Sequence, residues 1–106
     1  MIIVSDRIYV RLGTREAFLT RSGAAVAQAR RSWGCRDSVV AADPIASHRV
    51  NVYEEWESEE ARITFRGDGL GDDWSSSIVK ADVAKHMVAS SEPASPPEKS
   101  SGGRLS

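Results

Sequence analysis

The chain has 106 residues and a formal net charge of −1, with 41% hydrophobic and 27% charged residues. These values are ordinary for one globular domain, and the near-zero charge argues against non-specific binding of nucleic acid. No stretch approaches the roughly 18 apolar residues of a membrane-spanning helix, and the N-terminus lacks the features of a signal peptide. Cys35 is the one cysteine, which excludes a disulfide within the chain. A reducing compartment fits this composition, so we expect a cytoplasmic protein with no membrane association.

The first half of the chain predicts a strand, a helix and a second strand. Apolar and polar residues alternate over 2–11, as is typical of a strand, and Asp6 interrupts the apolar face. Thr14 can cap the start of a helix. Gly34 follows this helix and can adopt the left-handed conformation in which many helices end. Residues 35–42 then predict a strand that is apolar on both faces.

The second half predicts a hairpin, a helix and a last strand. A third strand at about 48–57 follows the second closely enough to pair with it. Ser58 can cap a helix that runs to about Arg66. We expect a further helical turn at 74–80 and a strand at 83–89.

This order of elements is the split β-α-β pattern of a ferredoxin-like α+β fold, an antiparallel sheet with helices on one face. We expect the other face, which carries Tyr9, Val40 and Tyr53, to have no cover within the chain. A homodimer through this face is therefore predicted. The folded domain should span 1–90. Residues 91–106 are rich in Ser, Pro and Gly and are predicted to be disordered.

Glu54 is an acid in the middle of the third strand, on the same face as Val52 and Trp56. It is either in a cavity or in an ion pair with an arginine such as Arg7 or Arg36. Burial disfavours the ionised form of a carboxyl group, which would make Glu54 a candidate proton donor or acceptor.

Trp56 has two interpretations, as a core residue under a helix or as the wall of a pocket. With Phe65 and Trp74 it would give a cleft between helices and sheet with aromatic walls. One carboxylate in such a cleft suits a flat, mostly apolar ligand.

Other motifs do not indicate a metal or cofactor site. His48 and His86 lie on different predicted strands, without a cysteine or carboxylate at ligand spacing. The stretch 67–73 lacks the lysine of a phosphate loop and the terminal glutamate of a calcium loop, so it predicts a mobile loop. Cys35 is interpreted as a small buried hydrophobic residue rather than a nucleophile.

The pair Gly34-Cys35 and the strand-to-helix junction at 50–61 (VNVYEEWESEEA) resemble the antibiotic biosynthesis monooxygenase family, especially its quinol-monooxygenase-like members. The resemblance covers about 1–90. It implies a dimeric α+β barrel in which two four-stranded sheets meet face to face. Characterised members oxidise polycyclic phenols or quinols with O2, without metal or flavin, because the electron-rich substrate supplies the electrons.

The sequence departs from the family pattern at several positions. Trp33 stands where the family usually has proline, and Phe65 stands where many members have histidine. The haem-degrading relatives use an Asn-Trp-His set, and the nearest matching positions here are Asp6, Phe65 and Ser75. The resemblance therefore does not support haem degradation.

The leading hypothesis is a cofactor-independent monooxygenase acting on a quinol or polycyclic phenol. Glu54 or His86 would assist proton removal, and Trp56, Phe65 and Trp74 would hold the ring system. The alternative is a non-enzymatic dimer that binds a small aromatic ligand, and a third hypothesis is a haem-binding relative.

Overall fold

A computed structural model describes residues 1–67 and 76–95. Its strands are β1 (Ile2–Val10), β2 (Cys35–Ala42), β3 (Arg49–Trp56) and β4 (Ile78–Met87), and its helices are α1 (Arg15–Arg30) and α2 (Glu59–Gly67). The predicted order of elements and the α+β ferredoxin-like fold are confirmed. Within the described ranges, no helix is long and apolar enough to cross a membrane.

The four strands form one antiparallel sheet in the order β2-β3-β1-β4. The hairpin predicted for β2 and β3 is present. Both helices pack on the side of the sheet that carries Val4, Ile8 and Trp56, which we call the helix side. The opposite side of the sheet carries the alternate residues of the same strands, among them Arg7 and Tyr53. We call this side the open face.

The core consists of two apolar clusters on the helix side. One contains Ile2, Val4, Ala29, Trp56, Ala61 and Phe65, and the other contains Ile8, Val10, Phe18 and Val50. Val40 packs against the second cluster, so its predicted place on the open face was wrong. The reason is a register shift between Cys35 and Asp37, after which the even-numbered residues of β2 face the helices.

Gly34 connects the end of α1 to β2 in the predicted left-handed conformation, with φ of +79°. A Cβ atom at this position would lie 2.4 Å from Cβ of Ala61 on α2. Real Cβ atoms do not approach this closely, so both the backbone angle and the space require glycine. The turn after α1 and helix α2 are therefore in direct contact.

The loop between β2 and β3 is held by Asp43 and Arg15. One carboxylate oxygen of Asp43 accepts hydrogen bonds from two backbone N–H groups of the loop, and the other accepts one from Asn51 Nδ2 at 2.9 Å. These bonds lower the pKa of Asp43 to about 2. Arg15 Nη1 donates to the carbonyl oxygens of Asp43, Ala46 and Arg49 at 2.9 to 3.2 Å. The loop thus fixes how the two strands pair.

The predictions around α2 had mixed outcomes. Ser58 Oγ accepts a hydrogen bond from Ala61 N at 3.1 Å, as expected of a cap. The predicted helical turn was wrong for Ile78–Lys80, which belong to β4 and pair with Tyr9 and Val10. Pairing with β1 gives these residues ladder hydrogen bonds that an isolated turn lacks.

Some predictions fall on residues that the structure does not describe. Those for Trp74 and Ser75, and most of the predicted loop, lie in 68–75. Residues 96–106 of the predicted tail are also outside the described residues. Residues 91–95 are exposed and have no helix or strand.

Candidate active site

Glu54 lies on the helix side of β3, between the two neighbouring strands, and only 11% of its side chain is exposed. The indole Nε1 of Trp56 donates a hydrogen bond to Glu54 Oε1 at 2.9 Å. Arg66 of α2 places Nη2 at 3.9 Å from Glu54 Oε2. Each carboxylate oxygen of Glu54 therefore has a partner nearby.

The arginines suggested from the sequence as partners of Glu54 lie elsewhere. Arg7 donates to Asp82 at 2.6 Å on the open face. Arg36 lies 3.7 Å from Glu55, which neighbours Glu54 but points to the opposite side. The sequence correctly suggested an ion pair for Glu54 but named the wrong residues, since the partner comes from the helix above the sheet.

Trp56 is fully buried and packs against Phe65, with ring centroids 5.4 Å apart. Phe65 is 7% exposed. The core interpretation of Trp56 is therefore the one that the structure supports for the single chain. Its functional contact is the hydrogen bond that orients Glu54, and the aromatic pair forms an apolar backing behind that carboxylate.

Asp6 was named from the sequence as an interruption of an apolar face and as the position nearest to the asparagine of the haem-degrading relatives, but not as a candidate catalytic or binding residue. It lies on β1, pairs with Val52 and Val83 on either side, and shares the helix side with Glu54. Its Oδ1 is buried and receives no hydrogen bond from the described residues. Burial and the nearby charge of Glu54 raise the pKa of Asp6 to about 6, while Arg66 opposes the shift. The feature of the sequence that could have identified Asp6 is its interruption of the apolar face of β1.

The edge strand β4 leaves apolar side chains accessible beside this carboxylate. Val83 is 56% exposed and Met87 is 78% exposed. They pair with Asp6 and Ile2 of β1, so both belong to the helix side. We call these two residues the β4 strip.

Lys85 lies between the two residues of the β4 strip and connects β4 to α2. Its Nζ is 3.0 Å from Glu59 Oε2, and Arg62 binds the same carboxylate at 2.8 Å. The two cations lower the pKa of Glu59 to about 2. The charges of this cluster are paired with one another, whereas Asp6 Oδ1 receives no hydrogen bond from the described residues.

His86 lies on the open face, where its Nε2 is 3.4 Å from Ser5 Oγ. Within one chain the structure therefore brings together Glu54, Trp56 and Phe65 but not His86. Successive residues of β4 point to opposite sides, so Lys85 and Met87 lie on the helix side and His86 lies on the open face. This alternation could be predicted from the sequence.

No cluster that could hold a metal ion is found within residues 1–67 and 76–95. Cys35 packs partly buried against the core, and burial raises the pKa of its thiol. This environment favours the neutral thiol over the nucleophilic thiolate.

A sequence model of the antibiotic biosynthesis monooxygenase family matches residues 1–67. The chain belongs to this family. The match includes Asp6, Glu54, Trp56 and Phe65, and ends before β4. Membership supports monooxygenase chemistry as the general class of function.

Solved structures share the fold of this antibiotic biosynthesis monooxygenase family member. A proposed antibiotic biosynthesis monooxygenase from Deinococcus radiodurans has a TM-score of 0.75 at 10% identity, over 91% of this chain and all of that one. A similar protein from Nitrosomonas europaea, with the same proposed activity, has a TM-score of 0.74 at 11% identity, over 85% of this chain and 100% of that one. Rv0793 from Mycobacterium tuberculosis has a TM-score of 0.69 at 19% identity, over 89% and 98% of the two chains. No curated protein sequence matches.

The helix-side site of this family member consists of two carboxylates, one arginine and a buried aromatic pair. Glu54 is fixed by Trp56 and Arg66, whereas the carboxyl group of Asp6 titrates near neutral pH. Such a site can take up or release a proton at physiological pH. We refer to Asp6, Glu54 and Arg66 as the carboxylate site.

Proposed function

We propose that this protein is a cofactor-independent monooxygenase that oxidises a quinol or polycyclic phenol with O2. The family supports the general class of reaction. The observation that carries the finer proposal is the carboxylate site, which lies between a buried aromatic pair and the exposed β4 strip. A hydroxylated ring needs a proton acceptor and an apolar surface, and this part of the helix side has both.

The reaction needs no other reductant if the substrate supplies the electrons. Loss of the hydroxyl proton makes the ring electron-rich, so that it can pass electrons to dioxygen. One oxygen atom then enters the ring as a carbonyl, and the other leaves as water with two hydrogens of the substrate. The substrate is oxidised by four electrons in total, which reduce both atoms of O2, so the atoms and electrons balance without a metal or flavin.

The residues have separate proposed roles. The carboxylate site would supply the proton acceptor, for which Glu54 is the candidate suggested by the sequence, and Trp56 and Phe65 support Glu54 from the core. Trp74, which lies outside the described residues, is proposed to hold the ring system with them. His86 is a second candidate acceptor, but from the open face it would serve a ligand bound between the sheets of a dimer.

We also propose that the protein forms a homodimer through the open face and that it is located in the cytoplasm. Arg7 and Asp82 form an ion pair in the middle of this face, and Tyr53 donates a hydrogen bond to Glu55 beside it. In the described structure both helices pack on the other side. A second copy would remove this face from water by two-fold symmetry.

Oxygen uptake with a panel of quinols and polycyclic phenols tests the function. We expect uptake above the uncatalysed rate that survives a metal chelator, and a slower rate for Glu54→Gln because the carboxylate site loses a charge. Glu16→Gln, on the exposed side of α1, is the matched control. Binding of the same compounds without uptake would contradict the enzyme and support the alternative, a non-enzymatic dimer that binds a small aromatic ligand.

A further inference from the structure

We infer that Asp6, rather than Glu54, accepts the hydroxyl proton of the substrate, and that Glu54 and Arg66 position and tune it. This inference rests on the proposed function and assigns the central residue of its site. Asp6 would thus be the catalytic base, whereas Glu54 would act through it.

The first argument is the place of Asp6 in the sheet. Val4 pairs with Glu54, and Asp6 pairs with Val52 on the same two strands. Asp6 and Glu54 are therefore diagonal neighbours on the helix side, close enough for their charges to interact. A substrate that reaches one carboxyl group also meets the other.

The second argument is that Glu54 is already engaged and Asp6 is not. Glu54 has the indole N–H of Trp56 on one oxygen and the guanidinium of Arg66 near the other. Both carboxylate oxygens of Glu54 therefore already have a partner nearby. Asp6 Oδ1 is buried and receives no hydrogen bond from the residues that the structure describes, so no described group occupies it.

The third argument is the charge around Asp6. The charged side chains that neighbouring elements carry on this side of the sheet, within the described ranges, are Glu54 on β3, Glu59, Arg62 and Arg66 on α2, and Lys85 on β4. Arg62 and Lys85 both bind Glu59, and Arg62 also interacts with the charge of Glu54. Arg66 lies near Glu54 and acts on Asp6 as well.

These surroundings suit a general base at neutral pH. Burial is the largest cause that raises the pKa of Asp6 to about 6, the charge of Glu54 is the second, and Arg66 acts in the opposite direction. Above this pH the group is ionised, yet it binds a proton more tightly than an ordinary aspartate. Base catalysis is most efficient when the pKa lies near the working pH.

In this proposal a substrate would approach Asp6 from the edge of the sheet. Its pairing partner Val83 and the nearby Met87 form the exposed β4 strip on the same side. A flat ring lying on this strip would cover apolar surface and direct a hydroxyl group toward β1. The strip therefore has the position that a ring-binding surface for Asp6 requires.

The proton step involves one bond broken and one formed. The substrate O–H bond breaks, its electron pair stays on the substrate oxygen, and the proton binds a carboxylate oxygen of Asp6. The phenolate is the reductant and dioxygen is the oxidant, as in the proposed reaction. The proton leaves Asp6 with the water that forms from the second oxygen atom.

The test compares Asp6→Asn, Glu54→Gln and the control Glu16→Gln in the full chain, with naphthohydroquinone and anthracenol as probes. Oxygen-uptake rates are measured from about pH 4 to about pH 8, and circular dichroism verifies folding. For the parent we expect kcat/KM to rise with pH through the pKa of Asp6, about 6. Asp6→Asn should lose about 10²–10⁴ in kcat and the pH-dependent rise, with KM little changed.

Glu54→Gln separates the two carboxyl groups even if Asp6→Asn does not fold. Removal of the negative charge leaves Arg66 beside Asp6, so the rise in kcat/KM should persist but move to lower pH. A rise that disappears in Glu54→Gln would instead identify Glu54 as the base and overturn the inference.

A carboxyl-carbon NMR titration of the free protein gives a readout independent of turnover. Titration of Asp6 with a pKa of about 6 supports the inference, and titration in the ordinary range of about 4 overturns it. No oxygen uptake by the parent would overturn the proposed function itself. Uptake by the parent with an unchanged rate and pH profile in Asp6→Asn would overturn only the role of Asp6.

Discussion

The two sides of the sheet use charge in opposite ways. On the open face, the acids have partners within the same strands or their neighbours, as Asp82 has in Arg7 and Glu55 has in Tyr53. On the helix side, Glu54 and Asp6 share the influence of one arginine, and Asp6 Oδ1 has no hydrogen-bond donor among the described residues.

This difference separates a side whose charges are paired within the chain from a side that leaves one carboxyl oxygen without a described donor. Arg7 and Asp82 are about half exposed, so their pair contributes little to the stability of a single chain but can be matched by a second copy. An unmatched, partly buried carboxyl group costs stability and persists where it has a use. The comparison therefore supports the proposals of assembly through the open face and proton chemistry on the helix side.

The largest expected effect comes from the aromatic residues of β3, which point to opposite sides. Trp56→Phe should lower the free energy of unfolding by about 2 kcal/mol, because it removes buried volume and leaves Glu54 Oε1 without its donor. Tyr53→Phe should lower it by at most about 1 kcal/mol, since the partly exposed hydroxyl can be replaced by water around Glu55. Urea unfolding measures both, and equal losses would remove this distinction between the sides.

The proposed dimer can be broken by charge reversal on the open face. Arg7→Glu places two acids opposite each other in the β1–β4 pairing and should weaken self-association at least about tenfold. Arg21→Glu, on α1, should leave it unchanged. Sedimentation velocity at micromolar concentration measures the effect. A parent that sediments as a monomer of 11.5 kDa would show that the open face does not bind a second copy.

The stability of the two sides should depend differently on pH. The pKa of Asp6 is about 6 in the folded protein and about 4 in an unfolded chain, so the folded state binds this proton more tightly. Its contribution therefore favours folding at low pH and is lost as pH rises from about 4 to about 6.

Asp6→Asn should remove this pH-dependent loss of stability, because asparagine does not ionise. After allowance for the partial exposure of the group, we expect it to raise the free energy of unfolding at neutral pH by on the order of 1 kcal/mol, with no gain below about pH 4. Asp82→Asn, which breaks an ion pair on the open face, should give no gain at either pH. Urea unfolding at both pH values is the measurement, and a loss of stability for Asp6→Asn at neutral pH would contradict the account.

The smallest effect should follow deletion of residues 91–106. We propose that the folded domain ends near residue 90, because the composition of the remainder cannot bury enough apolar surface to offset its ordering. The melting temperature and the sedimentation coefficient per subunit should hardly change. A drop of several degrees would indicate that the tail covers the domain, and its docking on the open face would then replace the second copy in the proposal.

Local patterns in the sequence predicted most of the fold because they depend on neighbours in the chain. Alternation identified β1 and β3, Ser58 marked the start of α2, and Gly34 marked the end of α1. The errors came from long-range pairing. The bulge at the start of β2 moved Val40 to the helix side, and pairing with β1 extended β4 through Ile78–Lys80.

The candidate site was predicted less completely, for the same physical reason. Glu54 and its aromatic neighbour Trp56 were found because they lie on one strand. Asp6 lies on another strand, and its interaction with Glu54 depends on register, which the sequence does not state. His86 was predicted as an alternative to Glu54 for proton removal, and the fold places the two residues on opposite sides of the sheet.

The hydrogen bonds of Asp43 in the hairpin loop have a consequence for how this protein tolerates mutation. Glu54 and Glu55 are adjacent and point to opposite sides, so a slip of one residue in the pairing of β3 would exchange them. The exchange would place a different acid in the carboxylate site and remove Trp56 from the core. A loop outside the carboxylate site would thus be under functional constraint, and random mutagenesis should find loss-of-activity variants at Asp43 and Arg15.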